Sequence, residues 1–436
     1  MPLGQFIEGA APLVIEVGIR RRLERELRIS LLVALCTILI LGPLALGIVQ
    51  DWSTALFEAG AGFALLIWMT WQFTATDLII RWNPLFAPML VFFAIVVAQI
   101  ALHRSSYRYD SVSELWLYIA YGILAFVAVQ LFGSGDGIVM LRFANIMAVF
   151  GAIYALFAVL QGFTSEGRIY WRIKPRAGSV YGSYVNHNHY AGLMELLLPI
   201  VLVLAFNGSV RAGKRVLLAF AASLMAVSVF LCQSRGGAFA VIVEMVFLAT
   251  FWIRRFSPRK SAAVFVAFCL ITIVFLFWIA PSQVGSRFTD THDPARWLIH
   301  RDSVRMFAAH PFLGTGFGTF ATAFPRYRRF YDGFFINHAH DDYLELLLET
   351  GLAGLAVAVW FIGVLYRQGL RNLRTARLSQ PALISAAALA GCTGLLAHSF
   401  MDFNLHVPAN AALFYVWCMA ATAPGIDRKE RKSDNY

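Results

Sequence analysis

Charge is what this 436-residue chain has least of. Asp, Glu, Lys and Arg together make up 14% of it, against 59% hydrophobic residues and a mean hydropathy of +0.66. A soluble domain carries roughly a quarter charged residues to cover its surface, so a string of soluble domains is excluded although the length would allow one. Paired cysteines are lacking too. Cys36, Cys232, Cys269, Cys392 and Cys418 stand singly in apolar stretches, which leaves them as small buried hydrophobes and excludes a disulfide framework or thiolate metal site. There is no Walker A loop, nucleotide fingerprint or acidic metal cradle, so any reaction draws its energy from the substrate itself and not from ATP. Internal repeats, low-complexity tracts and an appended soluble domain are also missing. The N-terminus does not read as a signal peptide. Residues 16–28, EVGIRRRLERELR, alternate in charge sign ahead of the first long apolar run and predict a cytoplasmic interfacial helix.

What the chain has instead is a succession of apolar runs about 20 residues long, enough to cross a hydrocarbon core of ~30 Å. Twelve spans are expected, near 31–49, 55–73, 85–102, 113–132, 142–161, 189–207, 216–233, 238–253, 261–280, 343–366, 382–400 and 404–423. The fold class is therefore all-α: a polytopic membrane bundle forming a single integral domain over 1–436. The net charge of +11 suggests nucleic acid only until its distribution is seen, for Lys and Arg lie in short loops between apolar runs. The basic N-terminal segment, GSVRAGKR at 208–215, RRFSPRK at 254–260, RQGLRNLRTARLSQ at 367–380 and the DRKERK tail fall on one side. By the positive-inside rule that side is cytoplasmic, and both termini lie there.

The other side carries residues 162–188 and a large loop, 281–342, both containing Arg against the topological preference. An anionic ligand would account for that. Within the large loop, Asp293-Pro294 starts a helix, with Asp as N-cap and Pro at the first helical position. The stretch ARWLIHRDSVRMFAAH spaces Arg296 and His300, and Arg301 and Arg305, four apart, as in a helix lying on the membrane surface with Trp297, Leu298 and Phe307 as anchors. Gly314, Gly316 and Gly318 read as a tight turn where the loop re-enters the protein.

His338, His340, Asp341 and Asp342 then stand just before a span that carries Glu345 and Glu349 on one helical face. Carboxylates inside a membrane are costly and face a polar cavity or partner. Three readings stay open for the histidines: a metal site, whose dense spacing matches no standard ligand pattern; a satisfied structural pair; and, preferred, a general base oriented by a carboxylate. Arg235, at the outer end of a span, either snorkels to headgroups or binds a diphosphate through its planar fork. Arg168, Arg172, Lys174 and Arg176 add positive charge to the 162–188 loop, and Asn186, His187, Asn188 and His189 cluster at the following span's entry. Glu195 lies one and a half turns further in; Glu58, Glu244 and Asp402 look isolated and read as bundle-facing structural groups.

The segment from His340 through Gly354 resembles the signature of the bacterial O-antigen ligase and polymerase superfamily: His340, Asp341 where Asn, Ser or Gln is usual, then Gly351 and Gly354. His338 gives the His-x-His form seen in part of that family. RWLIHRDSVRMFAAHPFLGTGFGTF from Arg296, SRGG at 234–237 and VNHNHYAG at 185–192 resemble further family segments, and the ordered matches cover about half the chain. The resemblance implies a membrane glycosyltransferase of the GT-C type in the bacterial inner membrane. It would take a glycan from undecaprenyl diphosphate on the periplasmic face, without metal or other cofactor. A ligase gives the glycan to a lipid A-core sugar; a polymerase extends a second lipid-linked repeat. By the same resemblance His340 is the base, with His338 and Asp341 beside it. Arg235 and Arg296 bind the diphosphate, with Arg176, Arg301, Asn186 and Asn188 lining the substrate site. The ligase is the leading expectation and the polymerase the next. A transporter or flippase also fits twelve spans with intramembrane carboxylates, but no paired broken spans recur in matching halves. A scaffold in a polysaccharide-export complex would leave the loop arginines dispensable.

Overall fold

The structure is a computed structural model that describes residues 10–75, 77–133, 137–175, 178–206, 210–255, 270, 274, 294–331, 333–375 and 379–423. Its helices are α1 (Ala10–Leu44), α2 (Asp51–Thr74), α3 (Phe86–Ala101), α4 (Arg108–Phe132), α5 (Ile138–Thr164), α6 (His187–Phe206), α7 (Ala212–Leu231), α8 (Arg235–Arg255), α9 (Pro294–Ala309), α10 (Asp342–Thr375), α11 (Gln380–His398) and α12 (Pro408–Thr422). An all-α membrane bundle is what the hydropathy demands, because in lipid a helix satisfies its own backbone polar groups.

Among the described residues, nine helices are long and apolar enough to cross a membrane. α3 has 16 residues and α12 has 15, so each spans only about 23–24 Å. Apart from residues 270 and 274, the expected span at 261–280 lies outside the described residues, as do the loop residues 281–293, so the twelvefold count is not reproduced. Two expected boundaries change. The 16–28 segment is not a separate interfacial helix but runs unbroken into the first span as part of α1; no Gly or Pro interrupts it after Gly18 until Gly42 and Pro43. The span expected at 343–366 continues to Thr375 and is kinked at Gly351.

That kink positions the loop that precedes the helix. Gly351 has φ 65° and ψ −164°, and a Cβ there would lie 2.3 Å from the Phe312 carbonyl carbon. The break frees backbone groups that the incoming loop then pairs. Thr315 N donates to Leu348 O (3.1 Å), Gly316 N to Glu349 O (2.9 Å), and Leu352 N to Pro311 O (2.8 Å). The Glu349 carboxylate accepts from Gly318 N and Phe320 N at 2.9 and 2.8 Å. Gly314, Gly316 and Gly318 all have positive φ, so GTGFG is the re-entry turn its composition predicts. Glu349 holds it together with Gln99 of α3, whose Nε2 donates to Leu313 O at 2.5 Å and whose Oε1 accepts from Phe317 N at 3.2 Å.

α11 is the centre of the bundle. Its sequence, QPALISAAALAGCTGLLAH, is rich in Ala with two Gly, and small residues let helix backbones approach closely in a membrane. α6 and α8 pack against it: a Cβ on Gly391 would lie 3.0 Å from Glu195 O of α6, and one on Gly394 would lie 2.1 Å from Glu244 Oε1 of α8. Cys392 and Cys418 meet there as buried free thiols 3.7 Å apart. A second, smaller apolar cluster, including Ile299, Met306, Phe320, Phe324 and Leu348, joins α9 to the re-entry loop and to the start of α10.

Candidate active site

Four chain segments meet where the helix ends converge: the start of α6, the α7–α8 junction, the start of α10 and the α11–α12 connection. Asp341 caps α10, its Oδ1 accepting from Tyr343 N and Leu344 N, each at 3.0 Å. Asp341 therefore serves the helix terminus and does not orient the neighbouring imidazole. The carboxylate on His340 is Asp402, from the α11–α12 connection, with His340 Nδ1 3.3 Å from Asp402 Oδ1. Asp402 is fully buried. It also accepts from Asn188 Nδ2 of α6 and from Phe403 N at 2.9 Å. Asp402 is thus not isolated, as its place in the sequence suggests, but joins His340, Asn188 and its own backbone connection. Burial alone would raise its pKa, but the His340 hydrogen bond and the fields of His189, His340 and His398 outweigh burial and hold the carboxyl well below the ordinary range.

His338 belongs to a parallel arrangement. Its Nδ1 lies 2.8 Å from Glu345 Oε1, and Glu345 Oε2 accepts from Ala339 N at 2.7 Å. His406 approaches the same carboxylate (Nε2 to Glu345 Oε1, 3.5 Å) and donates through Nδ1 to Asp342 Oδ1 at 2.7 Å. Burial would lower the His406 pKa, but Glu345 and the hydrogen bond and charge of Asp342 overcome it, so the imidazole is held well above its ordinary value. The two candidate histidines thus rest on different carboxylates. Among the described residues, no group of three His, Cys, Asp or Glu side chains is arranged to hold a metal ion.

Phe403 separates the imidazoles. His338 stacks on it at 3.9 Å and 19°, while His340 and His189 meet it edge-on at 5.1 and 4.7 Å. Nothing in the sequence marks this ring, since an apolar residue beside an apolar span carries no signal. His340 has φ +57°, an uncommon backbone state for a non-glycine residue and one found most often where surrounding structure imposes it.

The other expected residues divide. Arg296, from α9, donates through Nη1 to Met401 O at 2.5 Å, one residue from Asp402. The same helix is tied to the histidine loop by His300 Nε2 and Ala339 O at 3.1 Å. Arg235 is exposed at the first position of α8, beside Gly236, where a Cβ would lie 2.4 Å from the His398 ring. Asn186 accepts from Asn188 N at 2.9 Å and so caps α6. Arg301 pairs with Asp302 at 3.0 Å and lies over Trp297 at 5.5 Å; neither contact is a site residue. Arg168, Arg172 and Lys174 are exposed. Arg176 lies outside the described residues. His340, His338, Asn188 and Arg296 are thus drawn together; Glu345 meets the polar partner its position calls for, Asp402 is not the isolated group it looks in sequence, and Phe403 and His406 join the cluster with no signal in the sequence.

Against known families, residues 220–359 match the model described as O-antigen ligase. No curated protein matches the chain. The matched segment contains Arg235, Arg296, His338, His340 and Gly351, whereas Asp402, Asn188 and Phe403 lie beyond it.

Proposed function

From the match of residues 220–359 to the O-antigen ligase family, we propose that this chain is a membrane glycosyltransferase that moves a glycan from undecaprenyl diphosphate to an acceptor hydroxyl on the periplasmic face of the inner membrane. The ligase reaction, with a lipid A-core sugar as acceptor, is the leading form. The observation that carries the reading is the hydrogen bond from His340 Nδ1 to the buried Asp402. It selects the tautomer in which Nε2 is the lone-pair nitrogen, the one available to a substrate hydroxyl.

The chemistry follows from balance. The acceptor oxygen attacks the anomeric carbon as the bond to the diphosphate oxygen breaks, and its proton passes to His340 Nε2. The imidazolium so formed is stabilised by Asp402, which stays ionised because its pKa is held low. The departing diphosphate gains negative charge. Arg296 and Arg235 are the residues assigned to it, fixed guanidinium donors being worth most at a partly dry site where charge develops. Asn188 orients Asp402 from its other oxygen. Inverting displacement of this kind needs proximity and one proton acceptor, with no step that calls for ATP.

The test is direct. Purified protein supplied with lipid-diphosphate glycan should transfer sugar in the presence of chelator and without ATP, and His340→Ala should express normally and lose transfer. Full transfer by His340→Ala would remove the assigned base, and transfer abolished by chelator would revive the metal reading. Offering lipid A-core against a second lipid-linked repeat separates ligase from polymerase.

A further inference from the structure

Glu195 of α6 and His398, the last residue of α11, form a pair that the proposed reaction does not use. Glu195 Oε1 lies 2.7 Å from His398 Nδ1, and both side chains are essentially inaccessible at 0% and 1%. Burying such a pair costs desolvation that an apolar pair of similar size avoids, so its presence asks for a return other than stability. No described group hydrogen-bonds Glu195 Oε2 or His398 Nε2. The Oε1–Nδ1 contact is therefore the hydrogen bond that holds the ring.

What is attached to His398 gives the reason. Its carbonyl accepts from Met401 N at 2.7 Å and Asp402 N at 3.1 Å, closing the turn that presents both residues. Asp402 holds His340, and Met401 O holds Arg296. The next residue, Ser399, accepts from Asp342 N at 2.9 Å and donates through Oγ to Asp342 Oδ2 at 2.7 Å, locking the end of α11 to the start of α10 two residues past His340. On its other flank the ring meets Gly236 of α8, where a Cβ would lie 2.4 Å from Cδ2 and Nε2. Arg235 is the preceding residue.

We infer that the buried Glu195–His398 pair is a positioning pair for glycan transfer: by fixing one ring it sets the Met401–Asp402 turn and the first turn of α8, and so holds His340, Arg296 and Arg235 in register. This rests on the roles proposed above for those three residues. The pair touches no substrate; it acts through the turn. Register matters at this level because displacement of about 1 Å at a reacting group can cost on the order of 100-fold in rate.

Two conservative variants separate geometry from charge. Glu195→Gln keeps the chain length and a carbonyl to accept from Nδ1–H, and should keep kcat within about threefold of wild type. Glu195→Asp keeps the charge but withdraws the acceptor by one methylene, and should lower kcat at least tenfold with little change in donor KM. A merely structural role predicts the opposite pattern, with midpoints shifted and kcat retained in both; Asp outperforming Gln would mean that charge matters, not position. Either result overturns the inference. A readout independent of activity covers the case in which wild type itself transfers nothing, which would refute the function and not the coupling. In imidazole 15N spectra of histidine-labelled protein, assigned with His340→Gln and His398→Gln, Glu195→Asp should shift the His340 resonances along with those of His398. A His340 signal unmoved by Glu195→Asp overturns the coupling whatever the substrate.

Discussion

His340 and Asp402 are 62 residues apart in sequence and one hydrogen bond apart in space, and the separation explains why only half of the pair was legible. The histidine could be picked out because polar groups cluster just before a span. Asp402 gave no such sign: it stands alone between two apolar runs, and an acidic residue there is as compatible with a structural cap as with a site. Asp341 attracted the role by adjacency. His340 stands in a left-handed backbone state, however, and the Asp341 carboxylate is taken up in capping α10. If Asp402 orients and stabilises the imidazole, Asp402→Asn should express normally and lower kcat on the order of 100-fold or more, because an amide can present N–H where the carboxylate accepts. Asp341→Asn, which retains a capping oxygen, should lose far less in the same transfer assay. Arg235→Lys and Arg296→Lys should each reduce kcat about tenfold or more, since a point ammonium does not reproduce the two-pronged contact of a guanidinium with phosphate; single-turnover rates with wild-type and variant proteins check this.

At the scale of elements, the stretch from Asp342 to Thr375 shows how a span carries more than hydrophobicity. Its apolar pattern predicts one helix, but two helical segments form, joined at Gly351 in a backbone state that residues with a Cβ rarely adopt. The break and the three glycines of the re-entry turn are one device, joined by backbone hydrogen bonds and by Glu349. Gly351→Ala should therefore destabilise the loop that precedes the helix by about 1–3 kcal/mol from strain alone, with further loss from the clash at Phe312, measurable as a lower thermal midpoint in detergent. The connection between α11 and α12 should respond to pH at both ends. His406 is held above its ordinary value by Glu345 and Asp342, so its contribution to stability is complete below that ordinary value and is lost as pH rises through the raised one. Asp402 is held low, so its contribution is complete above the ordinary carboxylate range and disappears only as pH falls through its depressed value. Thermal midpoints should accordingly fall on the alkaline side in wild type. His406→Gln should flatten that limb without altering the acid one.

For the whole molecule, the amino-acid sequence by itself determined the solvent the chain lives in. Low charge, long apolar runs and basic short loops leave a helical membrane bundle as the arrangement that satisfies the backbone, and these are local properties read one segment at a time. The motif order from Arg235 to Gly354 was legible for the same reason, because spacing along a chain is local information, and it is also the region that the O-antigen ligase model matches. The tertiary structure decided which helix ends meet. α6, α8, α10 and α11 bring Asn188, Arg235, His340 and His398 to one place because α11 is lined with small residues that admit two neighbours at close range. Hydrophobicity does not choose among apolar helices in lipid, where tails are as apolar as Leu. Packing shape and buried hydrogen bonds choose, and they join residues hundreds of positions apart. That is why the membrane bundle and the histidine motif could be read from sequence, while Asp402, Phe403 and the Glu195–His398 pair required the fold.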